Sequence, residues 1–339
     1  MRKLLSLFFT AIKYYFYDAK NFIYNSMVLD YKKTQQRFLG KITLHAHVVE
    51  KGLTMPDMKP NFGKDNLFYL IDLCFEYDKY KYDINHILFV SAVSVVFEYK
   101  IVHEHLGLIV DADTFNKIEM LYKNFSFIKP ASQPSVTKEV FFANSRANFF
   151  DFAFSRHSVR CFDGVVDMNK LKLAIELAQT APSACNRQPN RVHVVSKGSK
   201  LFDDILSIQQ GNRGFGFLAD KLLIVSVDIS SYCIIRERMG MFVDGGIYVM
   251  NLLYSLHYYN IAACTLNWFY EPIADNKMFR IIDSFINGEI TDQQCKHCLA
   301  ATNLGFQYVL LNDNAISRLK MLECCYLSNE ERNHYRKIK

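Results

Sequence analysis

Residues 156–160 read Arg-His-Ser-Val-Arg, and they form the segment of the chain best suited to bind an anion. Each arginine carries a planar fork of N–H donors that matches the oxygens of a phosphate. Ser158 lies between Arg156 and Arg160, and its hydroxyl can donate a hydrogen bond to the same group. This basic segment therefore suits a phosphate monoester. Taken alone, it is also consistent with a solvated basic turn.

A second segment, residues 182–189, reads Pro-Ser-Ala-Cys-Asn-Arg-Gln-Pro, and we call it the Pro182 turn. Pro182 stops a preceding helix, because its ring removes an N–H donor and clashes with the earlier turn. Ser183 and Asn186 then place short polar side chains beside exposed backbone amides. An ordinary helix-ending turn is the alternative interpretation. Pro182 follows Arg160 by 22 residues, and together the two segments predict a flat, polar ligand that carries a phosphate.

At this spacing, the pair of segments resembles the nitroreductase-like family of FMN-dependent oxidoreductases. The resemblance covers residues 140–270 and fades after residue 275. It implies a homodimer whose flavin lies at the interface between the subunits. The cofactor-binding residues that it implies are Arg156, His157, Ser158, Arg160, Pro182, Ser183, Ala184, Asn186, Leu266 and Asn267.

The resemblance also implies a role for each of these residues. The first four would hold the phosphate and the ribityl chain and contact the ring edge, and the next four would approach the same flavin from the partner subunit. Gln188 would brace the turn. A loop after a strand places backbone amides near the flavin N5 in the family, and Leu266 and Asn267 match that loop by position. Thr265 stands where a proline usually precedes the loop, and Asn190 stands where an aromatic residue is common.

The activity implied by the resemblance is transfer of a hydride from NAD(P)H to the flavin N5, followed by reduction of a nitroaromatic, a quinone or another flat small-molecule acceptor. The cofactor carries the redox chemistry, so catalytic residues stay unassigned. The alternative is a non-catalytic flavin-fold interaction protein linked to surface-polysaccharide synthesis. The carboxyl end, where the resemblance fades, and Asn190 favour that alternative. The link to polysaccharide synthesis comes from the stretches around His45 and Asn61, which look like the leader region of nitroreductase-like proteins found with such gene sets.

Length and composition limit the class of protein. The chain has 339 residues, of which 50% are hydrophobic and 22% are charged, so it can bury a sizeable core and form two domains. The net charge of +6 comes from scattered basic residues, and we expect no nucleic-acid partner. Nine cysteines without a regular spacing favour a reducing, cytoplasmic compartment.

Residues 1–20 combine apolar and aromatic side chains with a few basic ones. A cleaved signal peptide is not favoured, because Lys13 interrupts the apolar run and no small-residue cleavage site follows. No apolar run in the chain is long enough to predict a spanning helix. We predict an amphipathic helix that either packs on the body of the protein or makes peripheral contact with a membrane surface.

Three regions are predicted along the chain. Residues 1–112 form a mostly helical region, residues 113–139 form a linker that contains Pro130 and Pro134, and residues 140–339 form the FMN-binding domain. Strands that alternate with helices indicate a layered fold. The predicted fold class is therefore α+β: a nitroreductase-like three-layer α/β/α sandwich around a mixed sheet, preceded by the helical amino-terminal region.

Periodicity and end signals predict the individual elements. The next helix after the basic segment begins at Asp167, whose carboxylate can accept the first free amides. The other helices are predicted over residues 66–80, 84–105, 140–155 and 242–259, and the strands over residues 191–196, 221–227 and 261–266.

Weaker candidates for chemistry remain, and we expect no metal site from them. Residues 211–216 are glycine-rich without P-loop or Rossmann spacing, and we interpret them as a mobile loop near the pocket. Cys295 and Cys298 form half of a zinc motif, and the pair His45-His47 could face His103-His105. Cys264 is expected to be a buried, inert thiol. At the carboxyl end, a strand is expected over residues 299–306, and the basic side chains that could contact the phosphate are Arg332, Arg336 and Lys337.

Overall fold

The computed structural model describes residues 2–28, 33–55, 57–131, 135–268, 273–274, 277–278, 280–281, 307–312 and 317–318. The described residues up to 131 form one compact unit, and those from 135 onward form a second. No helix in the described part of the chain is long and apolar enough to span a membrane.

The amino-terminal unit is helical, as predicted. Its helices are α1 (Arg2–Asn25), α2 (Gln35–Leu53), α3 (Lys64–Lys79), α4 (Ile87–His105) and α5 (Ala112–Phe125). Helices α2 to α5 bury a shared apolar core that includes Ile42, Leu70 and Val93. The predicted helices over residues 66–80 and 84–105 correspond to α3 and α4.

Helix α5 occupies residues 113–125 of the segment 113–139 that was predicted as a linker. Asp111 caps α5 by accepting a hydrogen bond from the amide of Thr114. Ile118, Leu121 and Phe125 recur at helical spacing and are buried. The proline residues that suggested a linker stand after this helix, and they do not interrupt it.

The second unit contains both helices and strands. Its helices are α6 (Lys138–Phe141), α7 (Phe149–Ser155), α8 (Met168–Ala178), α9 (Lys200–Ile208) and α10 (Gly240–Tyr258). Its strands are β1 (Ser135–Val136), β2 (Asn190–Ser196), β3 (Lys221–Val227), β4 (Ala262–Asn267), β5 (Gln307–Asn312) and β6 (Ser317–Arg318). The predicted strands over residues 191–196, 221–227 and 261–266 correspond to β2, β3 and β4.

The main sheet has the strand order β2-β3-β5-β4, and β1 pairs separately with β6. Neighbouring strands are antiparallel, with Val192 opposite Val225, Leu223 opposite Val309, and Ala263 opposite Leu311. The parallel pairing that a mixed sheet requires does not occur among the described strands. The strand predicted over residues 299–306 falls outside the described residues, and β5 begins at Gln307.

Helices α8 and α10 pack against the sheet and form its main core. Leu171, Ala174 and Ala178 bury one face of α8, as its apolar spacing predicted, and Ile175 is partly buried beside them. This face contacts the long helix α10, which also packs on β3 and β4. The described part of the unit thus contains a helix layer on a sheet, while the three-layer arrangement stays a prediction.

The single helix predicted over residues 140–155 is instead two short helices, α6 and α7. Between them the chain turns, and the side chain of Asn148 accepts a hydrogen bond from the amide of Asp151 to start α7. Asparagine favours this capping conformation over a helix interior, because its side chain competes for backbone hydrogen bonds. Helix α7 ends at Ser155, directly before the basic segment.

Candidate cofactor-binding site

The basic segment is hydrogen-bonded through Val159 to β4, an edge strand of the described sheet. The amide of Val159 donates a hydrogen bond to the carbonyl of Ala263 at 3.0 Å, and the Val159 side chain is fully buried. Ser158 is exposed, and Arg156 and Arg160 are half-buried. The strand edge therefore fixes the middle of the segment, and residues on both sides of Val159 remain accessible to a ligand.

Arg156 has a buried donor without an acceptor. Its Nε is buried and has no hydrogen-bond partner within the described part of the chain. A buried, unsatisfied donor costs about 1–3 kcal/mol. An anionic group beside Arg156 would accept this hydrogen bond, so the residues present fit the phosphate ester that the sequence predicted.

Two histidines next to Arg156 are held neutral. Burial and then the charge of Arg156 lower the pKa of His157 to about 4. Burial is the largest cause that lowers the pKa of His257 to about 4, and the electrostatic effects of Arg156 and His157 contribute to the same shift. Both rings are therefore uncharged at neutral pH, and the positive charge at this end of the site resides on the arginines.

His257 was not predicted, and it ties α7 to α10. Its Nε2 lies 2.8 Å from Oγ of Ser155, and that hydroxyl donates its proton to the carbonyl of Phe152 at 2.8 Å. The network therefore assigns the proton to Nε2 of His257, which donates to Ser155. The rings of Phe141, Phe142 and Phe152 lie 5.3–5.5 Å from the imidazole.

The Pro182 turn is anchored to α10 through Asp244, a second residue that the sequence analysis missed. Asp244 is buried, and its Oδ1 accepts the amide hydrogen of Ala184 at 3.0 Å. Its Oδ2 accepts the hydroxyl hydrogen of Tyr232 at 2.7 Å. Burial and this hydrogen bond raise the pKa of Tyr232, so its hydroxyl stays protonated. The signal that could have identified Asp244 is that it is the only charged residue in α10.

The turn is held in a backbone conformation that most residues avoid. Cys185, Asn186 and Gln188 have φ values of 53°, 54° and 48°, in the left-handed region. Oγ of Ser183 accepts the amide hydrogen of Gln188 at 2.9 Å, which leaves the Ser183 proton able to donate to a ligand. Nε2 of Gln188 donates to the carbonyl of Ala181 at 3.2 Å and to Oδ1 of Asn186 at 2.9 Å. Gln188 thus braces the turn, as expected.

The side chain of Arg187 forms hydrogen bonds with other residues of the protein. It forms two hydrogen bonds with the carboxylate of Glu237, at 2.7 and 3.2 Å, and its Nε donates to the carbonyl of Ala184 at 3.0 Å. This pairing lowers the pKa of Glu237 to about 2 and raises the pKa of Arg187. Both backbone groups of Ala184 are therefore engaged inside the protein, so Ala184 shapes the turn and its amide is not available to a ligand.

The two segments are fixed at opposite ends of α10. The Pro182 turn contacts Asp244 near the start of the helix, and the end of α7 contacts His257 near its last turn. Asp244 and His257 are 13 residues apart, which corresponds to about 20 Å along a helix axis. A single subunit therefore anchors the two predicted ligand-binding segments well apart.

Leu266 and Asn267 are strand residues, whereas the resemblance implied a loop. Both belong to β4, where Leu266 pairs with Tyr308 and Asn267 with Gln307. Leu266 is also buried. The strand extends one residue beyond its predicted end because β5 continues the pairing. Any loop that follows β4 begins after Asn267.

The other candidates within the described residues have structural roles. The glycine-rich residues 211–216 were expected to be mobile, yet Phe215 is fully buried and lies 6.3 Å from the ring of Phe162. His103 uses both ring nitrogens: Nδ1 contacts the carbonyl of Tyr99 at 2.7 Å, and Nε2 accepts the amide hydrogen of Asn61 at 3.2 Å. Cys264 is buried, as expected.

His45 and His47 have separate partners. His45 contacts Asn66 at 2.9 Å, and His47 contacts Glu50 at 3.0 Å. The half zinc motif of Cys295 and Cys298 lies outside the described residues, and so do the three basic residues proposed for the carboxyl end.

The chain is similar to several solved structures and matches one family model. No curated protein matches the chain. A nitroreductase with bound FMN from Desulfitobacterium hafniense DCB-2 is 20% identical to this chain and has a TM-score of 0.31. The match covers 46% of this chain and 84% of that nitroreductase. A nitroreductase family protein from Clostridium novyi NT is 17% identical, with coverages of 49% and 85% and a TM-score of 0.39. One from Streptococcus pneumoniae TIGR4 is 17% identical, with coverages of 49% and 90% and a TM-score of 0.37.

These TM-scores are too low to establish a common fold for the whole chain. The family comparison is more specific, because it is confined to the part of the chain that holds the candidate site. The model of the nitroreductase family matches residues 153–213, a range that contains both the basic segment and the Pro182 turn.

Proposed function

We propose that this protein is an FMN-dependent oxidoreductase that works as a homodimer. The observation that carries the proposal is the buried Nε of Arg156, which has no acceptor in the described residues, within a segment that the nitroreductase family model matches. When bound, FMN supplies the redox chemistry: a hydride moves from NAD(P)H to the flavin, and electrons pass on to a nitroaromatic, a quinone or another flat acceptor.

In this proposal the basic segment holds the phosphate end of the cofactor. Arg156 and Arg160 supply charge-assisted hydrogen bonds, and the exposed Ser158 adds its hydroxyl. His157 is neutral, so its ring can donate or accept a hydrogen bond without adding charge. The residues bind and orient the cofactor, and no side chain is assigned a proton-transfer step.

A second copy of the chain would complete the site. The Pro182 turn carries a Ser183 proton that is able to donate, and the braced backbone holds that group in place before any ligand binds. The turn and the basic segment of one subunit are anchored about 20 Å apart along α10. This separation supports a shared site, in which the turn of one subunit approaches the cofactor that the basic segment of the other subunit holds.

The first test is the absorbance spectrum of the purified protein, with the released chromophore identified. The proposal predicts flavin bands that are bleached by NAD(P)H in the absence of oxygen. A colourless protein that does not bind added FMN would refute it and would support the alternative, a non-catalytic flavin-fold interaction protein.

The cytoplasmic location is also a proposal, and the free thiols of Cys74, Cys161, Cys185, Cys233 and Cys264 support it.

A matched pair of variants tests the role of Arg156 in binding FMN. Arg156→Ala should weaken FMN binding by at least about tenfold, because a hydrogen bond to a charged group contributes about 1.5–3 kcal/mol. Lys172→Ala removes one positive charge from an exposed position on α8, outside both predicted ligand-binding segments, and should leave the dissociation constant unchanged. Equal effects of the two substitutions would mean that Arg156 acts only through the net charge of the protein.

A further inference from the structure

Helix α1 displays a large apolar surface that the described residues do not cover. None of residues 3–25 is buried. The helix is tied to its unit near its last turn, where Nη2 of Arg37 donates to the carbonyl of Tyr24 at 2.9 Å. Elsewhere the side chains of α1 contribute nothing to the core that α2 to α5 form. This surface needs an explanation, because contiguous exposed apolar patches mark interaction sites.

Apart from Leu7, the leucine, isoleucine and phenylalanine side chains of α1 lie on one face. At about 100° per residue, they occupy an arc of about 160° that contains no charged residue. This apolar face includes Leu4, Leu5, Phe8, Ile12, Phe16 and Phe22, whose exposed fractions range from 48% to 73%. A helix of 24 residues is about 36 Å long, so the face is both long and wide.

Charge is distributed unevenly around the same helix. The sequence of α1 contains Arg2, Lys3, Lys13 and Lys20 against the single acid Asp18. On the helical projection, Lys13 and Lys20 lie beside the edge of the apolar face, and both are exposed. From that border a lysine can extend its charged end toward lipid headgroups while its aliphatic stem follows the apolar surface.

We propose that α1 binds the surface of a bilayer that contains anionic lipids, with its apolar face inserted at the boundary between headgroups and acyl chains. A helix with a basic border and a wide apolar face with aromatic residues is typical of interfacial helices, which insert to a depth of about 5–10 Å. Pairing with a second copy of α1 explains the surface less well. A two-stranded seam uses only two apolar positions in every seven, and the apolar face of α1 is much wider.

The test is sedimentation of the full-length protein with vesicles. The proposal predicts binding to vesicles of phosphatidylcholine with phosphatidylserine and much weaker binding to phosphatidylcholine alone. Lys13→Gln and Lys20→Gln should each weaken binding to the anionic vesicles by roughly fivefold, because a basic residue near an anionic surface contributes about 1 kcal/mol. Equal binding to both kinds of vesicle would overturn the electrostatic part of the proposal.

Two double variants test whether vesicle binding depends on the apolar face or on the total apolar surface of α1. Phe8→Ser with Phe16→Ser changes the apolar face at side chains that are 60% and 71% exposed. Leu7→Ser with Tyr17→Ser changes the opposite face at side chains that are 56% and 61% exposed. The first pair should weaken vesicle binding by more than about tenfold, since each phenylalanine transfers most of its apolar area into lipid, and the second pair should have little effect. Equal losses in the two variants would contradict the assignment of the face.

Pairing of α1 with a second copy of the chain would give a different experimental result. If α1 pairs with a second copy, the Phe8 and Phe16 variant would change the mass measured in solution without vesicles, and that result would refute the membrane proposal. Neither variant touches the buried core, so far-ultraviolet circular dichroism should confirm that both fold. Membrane binding does not depend on the proposed redox function, and flavin content measured on the same samples keeps the two questions apart.

Discussion

The contact between Asp244 and the Pro182 turn allows a quantitative prediction. Asp244→Ala removes the acceptor for two donors, the amide of Ala184 and the hydroxyl of Tyr232. Each donor that loses its partner in a buried position costs about 1–3 kcal/mol. Both residues are only partly buried, so water can replace part of the loss. We therefore expect the free energy of unfolding to fall by about 2–4 kcal/mol.

Asp244→Asn is the matched control, because it keeps the shape of the side chain and one acceptor oxygen. Its oxygen can accept the amide hydrogen of Ala184, and its Nδ2 would then face the hydroxyl of Tyr232, which can accept a hydrogen bond instead of donating one. The variant therefore removes the negative charge and can keep both contacts. We expect a smaller decrease in stability, about 1–2 kcal/mol. The order of the two variants matters more than the absolute values, since Asp244→Ala removes both contacts and Asp244→Asn can keep them.

The assay is urea denaturation of the flavin-free protein, followed by tryptophan fluorescence. The chain contains one tryptophan, Trp268, which is buried directly after β4 in the same compact unit as Asp244. The signal therefore reports the unit that holds the site, without interference from the helical unit. A loss below about 0.5 kcal/mol for Asp244→Ala, the size of an ordinary surface substitution, would refute the conclusion that Asp244 holds the turn.

Two further predictions use the same assay. The pKa of His257 is about 4, below its usual value of 6.5, so its contribution to stability is complete above pH 6.5 and is lost as the pH falls toward 4. His257→Gln should reduce this pH dependence, and an unchanged profile would show that other groups cause it. Phe215→Ala should cost about 3–5 kcal/mol because the ring is fully buried, whereas Phe217→Ala, at a side chain that is 56% exposed, should change stability by less than about 0.5 kcal/mol. Similar values for the two phenylalanines would support the mobile loop that the sequence suggested.

The elements that depend on local pattern could be predicted from the sequence. Helices α3, α4, α8 and α10 carry apolar residues at helical spacing, and β3 is a short apolar run between polar residues. The errors arose where a local end signal competed with periodicity. Asn148 divides residues 140–155 because its side chain caps a new helix. In α5, by contrast, Asp111 and the buried spacing of Ile118, Leu121 and Phe125 extend the helical unit past its predicted end.

The residues that support the site could not be predicted, because their partners are distant in the sequence. Asp244 is 60 residues from Ala184, Glu237 is 50 residues from Arg187, and His257 is 102 residues from Ser155. Periodicity and motif spacing contain no information about such contacts. The binding segments themselves could be identified, since their residue types follow from the chemistry of the ligand.

Helix α10 is the element that joins these distant contacts into one arrangement. Its middle packs on the sheet through Tyr248 and Leu252, so the helix cannot slide without opening the core. Its first turns position the Pro182 turn through Asp244, and its last turn positions the start of the basic segment through His257. A change in the packing of α10 should therefore disturb both segments together. In a dimer with shared sites, each copy of α10 would contribute to two sites, so one such change would alter both of them.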